Sequence, residues 1–180
     1  MTYLTTGWLC VIAGSLFIAI GGFLTTKGWN EFSNHSKRQT LISSAMRELE
    51  QNNKYLKDMD KGFGQLSNLD QVYLIPTFHY NAIQLIQTSS LFNKKDSSLL
   101  SAASSFLYNV NPVNDSVLKL NIIFSDTSPS LEHKKNTYVS FYKSPLLKRF
   151  MLKQKELHGE LLKLKQGSND KTSNHGNGDS

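Results

Sequence analysis

The sequence predicts an all-α protein. One N-terminal transmembrane helix continues into an antiparallel bundle of about four helices, which ends in a disordered tail. Three observations predict this. Apolar side chains recur at three- and four-residue steps between residues 30 and 165, the period of a helix face. Gly, Pro, Ser and Asn clusters cut that stretch into segments joined by short connections, which favour antiparallel neighbours. The chain also opens on an apolar run with no charged side chain from Leu4 to Thr26. The domains that follow are an anchor over 1–28, a helical bundle over 29–165 and a tail over 166–180.

The anchor segment reads LTTGWLCVIAGSLFIAIGGFLTT. As a helix it spans roughly 34 Å, slightly more than the ~30 Å hydrocarbon core of a bilayer. Trp8 near one end and Trp29 just past the other are placed like interfacial aromatics. A cleaved signal peptide fits less well, because the run exceeds an h-region of ~7–15 residues and Met1-Thr2-Tyr3 brings no basic side chain. Lys27, Lys37 and Arg38 follow the run and none precedes it, so the positive-inside rule orients the bundle toward the cytoplasm. The expected location is a cell inner membrane, crossed once. Gly7, Gly14, Gly21 and Gly28 recur every seven residues and share nearly one helix face. Small residues there let another helix approach closely, either a second copy or a membrane protein partner.

Beyond the anchor, Phe32, Ile42, Met46, Leu49, Leu56 and Met59 form a stripe on a helix over Asn30–Asp60, ended by Gly62 and Gly64. Gln39 and Asn53 interrupt that stripe. Ile75-Pro76 marks a break, since the residue before proline avoids helical angles. A second helix is expected over Thr77–Leu91, with Phe78, Ala82, Leu85, Ile86 and Phe92 on its apolar side. After the polar turn Asn93–Asp96, a third starts near Ser97 on Leu99, Leu100, Ala103, Phe106, Leu107 and Val110. Asn111-Pro112 kinks or restarts it, and Val113, Val117, Leu118 and Ile122 carry it to about Phe124. Asp126–Ser130 is a turn by composition. The last helical region, Leu131–Lys165, has a fresh start or kink at Ser144-Pro145, a cap followed by proline at the first helical position. There Leu147, Phe150, Gln154, Leu157, Leu161 and Leu164 keep a near-heptad rhythm. Gln166–Ser180 has no apolar side chain to offset its ordering entropy.

The formal charge is +6, and its surplus is local: Leu131–Lys165 holds nine Lys or Arg against three Glu. Lys148, Arg149, Lys153, Lys155, Lys163 and Lys165 form a basic face suited to anionic lipid or an acidic partner. Nucleic acid is not expected there. Tyr138, Phe141, Tyr142 and Phe150 fall at helical spacing with leucines, as core residues do, and stacking platforms need exposed rings.

No catalytic constellation is visible. The chain has no GxxxxGK, HExxH or GxSxG motif. Its one cysteine, Cys10, lies in the apolar run, and His35, His79, His133, His158 and His175 are scattered, so neither metal nor cofactor is expected. Asp58-Met59-Asp60 starts like a calcium loop but continues with Gly62-Phe63 where a ligand and a glycine are needed. Glu48 and Glu50 point to different sides of a helix and make a poor acid/base pair. Asn34 and Asn114 head glycosylation sequons that would go unused on the cytoplasmic side.

Gly28-Trp29-Asn30, then Ser33 or Ser36, Arg38, Leu41-Ile42, Glu48-Leu49 and Asn52 or Asn53 give the stretch Gly28–Leu56 a family look. It resembles small uncharacterised bacterial proteins with one N-terminal span and a helical domain. The resemblance implies a bacterial source and supplies no catalytic residue. The expected function is non-enzymatic: a membrane-anchored helical module that holds a partner or a second copy at the cytoplasmic face. The alternatives are a membrane-perturbing effector, such as a toxin or phage-defence component, and a small-molecule sensor built on the bundle.

Overall fold

The structure is a computed structural model that describes the backbone of residues 2–66 and 74–173 and the side chains of residues 28–66 and 74–166. Those residues form five α helices and no strand: α1 (Thr2–Gly64), α2 (Asn81–Thr88), α3 (Ser97–Ser125), α4 (Leu131–Tyr142) and α5 (Pro145–Ser173). A 3-10 turn, Lys94–Asp96, precedes α3. The all-α class is as expected. The chain divides into two compact units, Met1–Gln39 and Thr40–Ser180.

In the first unit the backbone is helical from Thr2 onward. Among the described residues no helix is long and apolar enough to cross a membrane. The run Leu4–Thr26 lies in the part of α1 whose side chains are outside the described residues, as do Trp8 and Cys10. Phe32 was expected in the buried stripe, yet it is 69% exposed, beside Trp29 at 72%. The two rings face solvent one turn apart, with centroids separated by 6.5 Å. The stripe buries its side chains only from Ile42 onward, where other helices lie against it.

The second unit is built on α1 from Thr40, α3 and α5. Core side chains on α3 are Leu99, Ala103, Phe106, Val110, Val113, Val117, Leu120 and Phe124. Their steps alternate between four and three residues without a slip, so one seam runs the length of the helix. Pro112 neither breaks nor restarts it. Proline there is exposed, so the Tyr108 carbonyl that loses its partner also lies toward water. The unbroken seam corrects the register expected beyond Pro112, because Leu118 and Ile122 are 52% and 70% exposed.

α5 starts at Pro145, as the sequence predicts, and Ser144 Oγ accepts the Leu147 N–H at 3.2 Å. Leu147, Phe150, Gln154, Leu157 and Leu161 are buried in the expected rhythm. Phe150 lies against Phe106 (5.5 Å between centroids), and Ser98 hydrogen-bonds Glu160, so α3 and α5 run antiparallel. α1 is antiparallel to α5 as well, since Gln154 Nε2 donates to Asn53 Oδ1 at 2.7 Å and Tyr142 bonds Asp60. Asn53 thus supplies a partner for the amide that α5 buries in the core.

α4 is capped by Ser130, whose Oγ accepts the His133 N–H at 3.2 Å. The backbone of α5 continues to Ser173, past the tail boundary expected at Gln166. A helix already nucleated by packing extends at little cost per residue. Residues 174–180 lie outside the described residues.

The second helix is the largest departure. Only Asn81–Thr88 is helical, and Leu74–Tyr80 has no regular secondary structure. Phe78 is buried as expected, at 2% exposure, but from this irregular strap rather than from a helix. Leu85, expected on the apolar side of α2, is 54% exposed.

Candidate functional site

Of the glycine face, Gly28 is exposed, and a Cβ added to it would meet nothing within 4 Å. Gly7, Gly14 and Gly21 fall where side chains are outside the described residues.

The six basic residues all lie on α5. Lys148 and Lys155 stand seven residues apart on one row of its surface, and Arg149 and Lys163 stand on the adjoining row. Lys153 pairs with Glu156 at 2.7 Å and Lys163 with Glu160 at 2.6 Å. The Lys163 ammonium, with help from Ser98, holds the Glu160 carboxyl below its ordinary value. Lys148, Arg149, Lys155 and Lys165 are exposed and form no ion pair with the described residues. The uncompensated charge is therefore concentrated in the first half of α5. Met151 and Leu152 lie among these residues, 38% and 54% exposed. Lys155 also borders a shallow groove of about 270 Å³ with Lys57, Asn53 and Tyr142.

The antiparallel packing sets this patch level with Asn53–Asp60 of α1. That is roughly 20–30 Å along the helix from Thr40 at ~1.5 Å per residue. Of the two C-terminal lysines of the basic face, Lys163 is paired with Glu160, while Lys165 is exposed.

A second polar constellation is one that sequence reasoning missed. Three asparagines grip the strap, each by both functions of its amide. Asn121 accepts from the Ile75 N–H at 2.9 Å and donates to its carbonyl at 2.7 Å. Asn114 does the same to Phe78 at 2.7 and 3.0 Å. Asn52, fully buried on α1, does so to His79 at 2.7 and 2.8 Å. Glu48 then caps α2 from outside, accepting the Ala82 N–H at 2.9 and 3.0 Å. Tyr80, at the N-cap position of α2, makes no side-chain cap bond. A carboxylate at that helix end also suits its dipole. Asn114 is thus a structural anchor with its amide engaged, not an acceptor for sugar in the folded chain.

Beside the strap lies a cavity of about 370 Å³, floored by Met59, Ile75 and Pro76, with Lys54, Tyr55, Asp58 and Tyr138 also lining it. Tyr138 donates to the Met59 carbonyl at 2.7 Å. Tyr55 shares its hydroxyl with Gln51 at 3.0 Å and His79 Nε2 at 3.2 Å. Among the described residues no group of three or more His, Cys, Asp or Glu could hold a metal ion.

No family model, curated protein or solved structure matches the chain.

Burial, then the neighbouring Tyr142 and Asp60, push the Tyr138 hydroxyl up from 10.0 to about 12. The hydrogen bond to Asp60, then burial, raises Tyr142 as well. Between about pH 10 and 12 the unfolded chain has released the Tyr138 proton while the folded chain keeps it. Stability is therefore full below about pH 10 and falls as pH rises toward 12. Tyr138→Phe should make that fall shallower without abolishing it, because Tyr142 remains. At neutral pH it should cost about 1 kcal/mol for the lost hydrogen bond. Urea midpoints of both proteins at pH 8 and pH 11 check the two effects.

Proposed function

We propose that this chain is a single-pass membrane-anchored helical module that holds a protein partner, or a second copy of itself, at the cytoplasmic face of the inner membrane. The observation that carries the reading is the uncharged run Leu4–Thr26, followed directly by a bundle with its own core. Lys27, Lys37 and Arg38 support the orientation. The exposed Trp29–Phe32 pair suits the polar–apolar boundary where the run ends.

The basic patch of α5 favours an acidic protein partner over the lipid surface. Lys148, Arg149 and Lys155 surround the exposed Leu152, and a charged rim about an apolar centre is the usual anatomy of an interface.

Alkaline carbonate extraction tests the anchor. The full chain should stay with the membrane, and a chain of residues 28–180 should be soluble and keep its helical circular dichroism. The shortened chain should then bind anionic and neutral vesicles within a few-fold of each other at physiological salt. Release of the full chain by carbonate would refute the anchor. A ten-fold preference for anionic vesicles would turn the basic patch back to lipid.

Two other readings each have one observation in their favour. The seven-residue glycine register supports a membrane-perturbing oligomer. In that case induction should arrest growth, and Gly14→Leu with Gly21→Leu should relieve it. The 370 Å³ cavity falls in the size range of small-molecule sites and supports a sensor.

A further inference from the structure

The lysines along α5 are not treated alike. Lys153 and Lys163 each meet a glutamate of the same helix, at 2.7 and 2.6 Å. Lys148 and Lys155, and Lys57 across from them on α1, are exposed and form no ion pair with the described residues. Lys57 and Lys155 line the shallow groove of about 270 Å³ between α1 and α5. Lys148 stands seven residues from Lys155 on the same row of α5, about 10.5 Å along the helix.

Nothing in the groove offsets this charge. Asp60, the acid that lines it, already accepts a hydrogen bond from the Tyr142 hydroxyl. Glu50, the other acid on the Lys57 row of α1, is seven residues from Lys57, again about 10.5 Å away. Between the lysines the surface is apolar. Leu56 and Met151 line the groove, and Leu152 stands beside it, 54% exposed.

An occupant of opposite charge with an apolar stripe complements both features. The walls are helices, so they offer no sheet edge and an extended segment would gain no backbone bonds there. A helix satisfies its own backbone and can lay one apolar face in such a groove. Lying along α5, it would also repeat carboxylates every seven residues, at the spacing of Lys148 and Lys155.

We infer that the groove between α1 and α5 docks an amphipathic acidic helix of a partner protein. Its apolar stripe rests on Leu56, Met151 and Leu152, and its carboxylates meet Lys57, Lys148 and Lys155. This rests on the reading of the α5 patch as a protein interface and not on the anchor.

The test uses the full chain in detergent and two fluorescent peptides of one Glu, Ala and Leu composition. One carries its leucines on a single helix face, and the other has them scrambled. Micelles without protein serve as the blank. The striped peptide should bind saturably and at least ten-fold tighter than the scrambled one. Lys57→Glu with Lys155→Glu should weaken its binding at least ten-fold. Lys94→Glu with Lys119→Glu, the same change in charge outside the groove, should weaken it less than two-fold. Met151→Ser should weaken it at least three-fold with helical content unchanged. Equal losses from the two double variants, or none from Met151→Ser, would overturn the inference. Equal affinity for the scrambled peptide would overturn it too, while leaving an acidic partner in place. No saturable binding of either peptide would overturn both the inference and the acidic-partner reading.

Discussion

Replacing Phe150 by alanine should lower the unfolding free energy of the Thr40–Ser180 unit by about 3–5 kcal/mol, the usual cost of deleting a buried phenylalanine. Phe150 joins three elements of the core. Phe150 is fully buried on α5, with its ring against Phe78 of the strap at 4.6 Å and Phe106 of α3 at 5.5 Å. Its removal leaves a cavity at the meeting point of three segments, two of them rigid helices that cannot collapse into it. Domains of this size have only about 5–15 kcal/mol of stability in all. The variant should therefore melt well below the parent and expose the strap to protease. Phe150→Leu keeps most of the volume and should cost less than half as much. Urea denaturation followed by circular dichroism gives both values, and equal midpoints for Phe150→Ala and the parent would contradict this packing.

The pair Asn114→Ala and Asn121→Ala should cost about 2–4 kcal/mol together, although neither residue is in the apolar core. Each substitution strips the partner from one N–H and one C=O of the strap, and these groups are only part-buried. A buried polar group left unpaired costs ~1–3 kcal/mol, and some access to water reduces that. The loss should appear as local opening of the strap with little change in helical content. Asn114→Asp is a sharper version. Its carboxylate can still accept from the Phe78 N–H, but it faces the Phe78 carbonyl with no proton to give. It should be at least as damaging as alanine at neutral pH. Part of the loss should return at acidic pH, where the protonated acid can donate again. A pH-independent loss would show that Asn114 Nδ2 is not the donor that matters.

How much of this was legible in sequence varied by element. The start of α5 could be read because both of its signals are local: Ser144 caps and Pro145 fits the first turn. Its core was legible because Leu147, Phe150, Gln154, Leu157 and Leu161 keep one near-heptad seam, although Met151 and Leu152 lie outside it. α3 offered two apolar faces beyond Pro112, Val113–Val117–Leu120–Phe124 and Leu118–Ile122, and pattern alone does not choose between them. The choice follows from Phe106 and Val110, whose seam continues straight through the proline.

The strap was read as helix because Phe78, Ala82 and Ile86 lie at helical spacing. Tertiary bonds from Asn52, Asn114 and Asn121 outweigh that propensity, and Pro76 already opposes it. Glu48 looked unremarkable because its partner, the N-terminus of α2, is 34 residues away. One signal was available: Asn114 and Asn121 stand seven apart on a helix face, where polar residues inside a bundle need partners.

The most direct test of the proposed architecture is topology. A fluorescent protein that matures only in the cytoplasm, and separately a phosphatase active only outside it, would be fused after Ser180. A single anchor with its bundle inside predicts fluorescence in the membrane fraction and no phosphatase activity. Phosphatase activity without fluorescence would put the bundle on the other side of the membrane and contradict the reading.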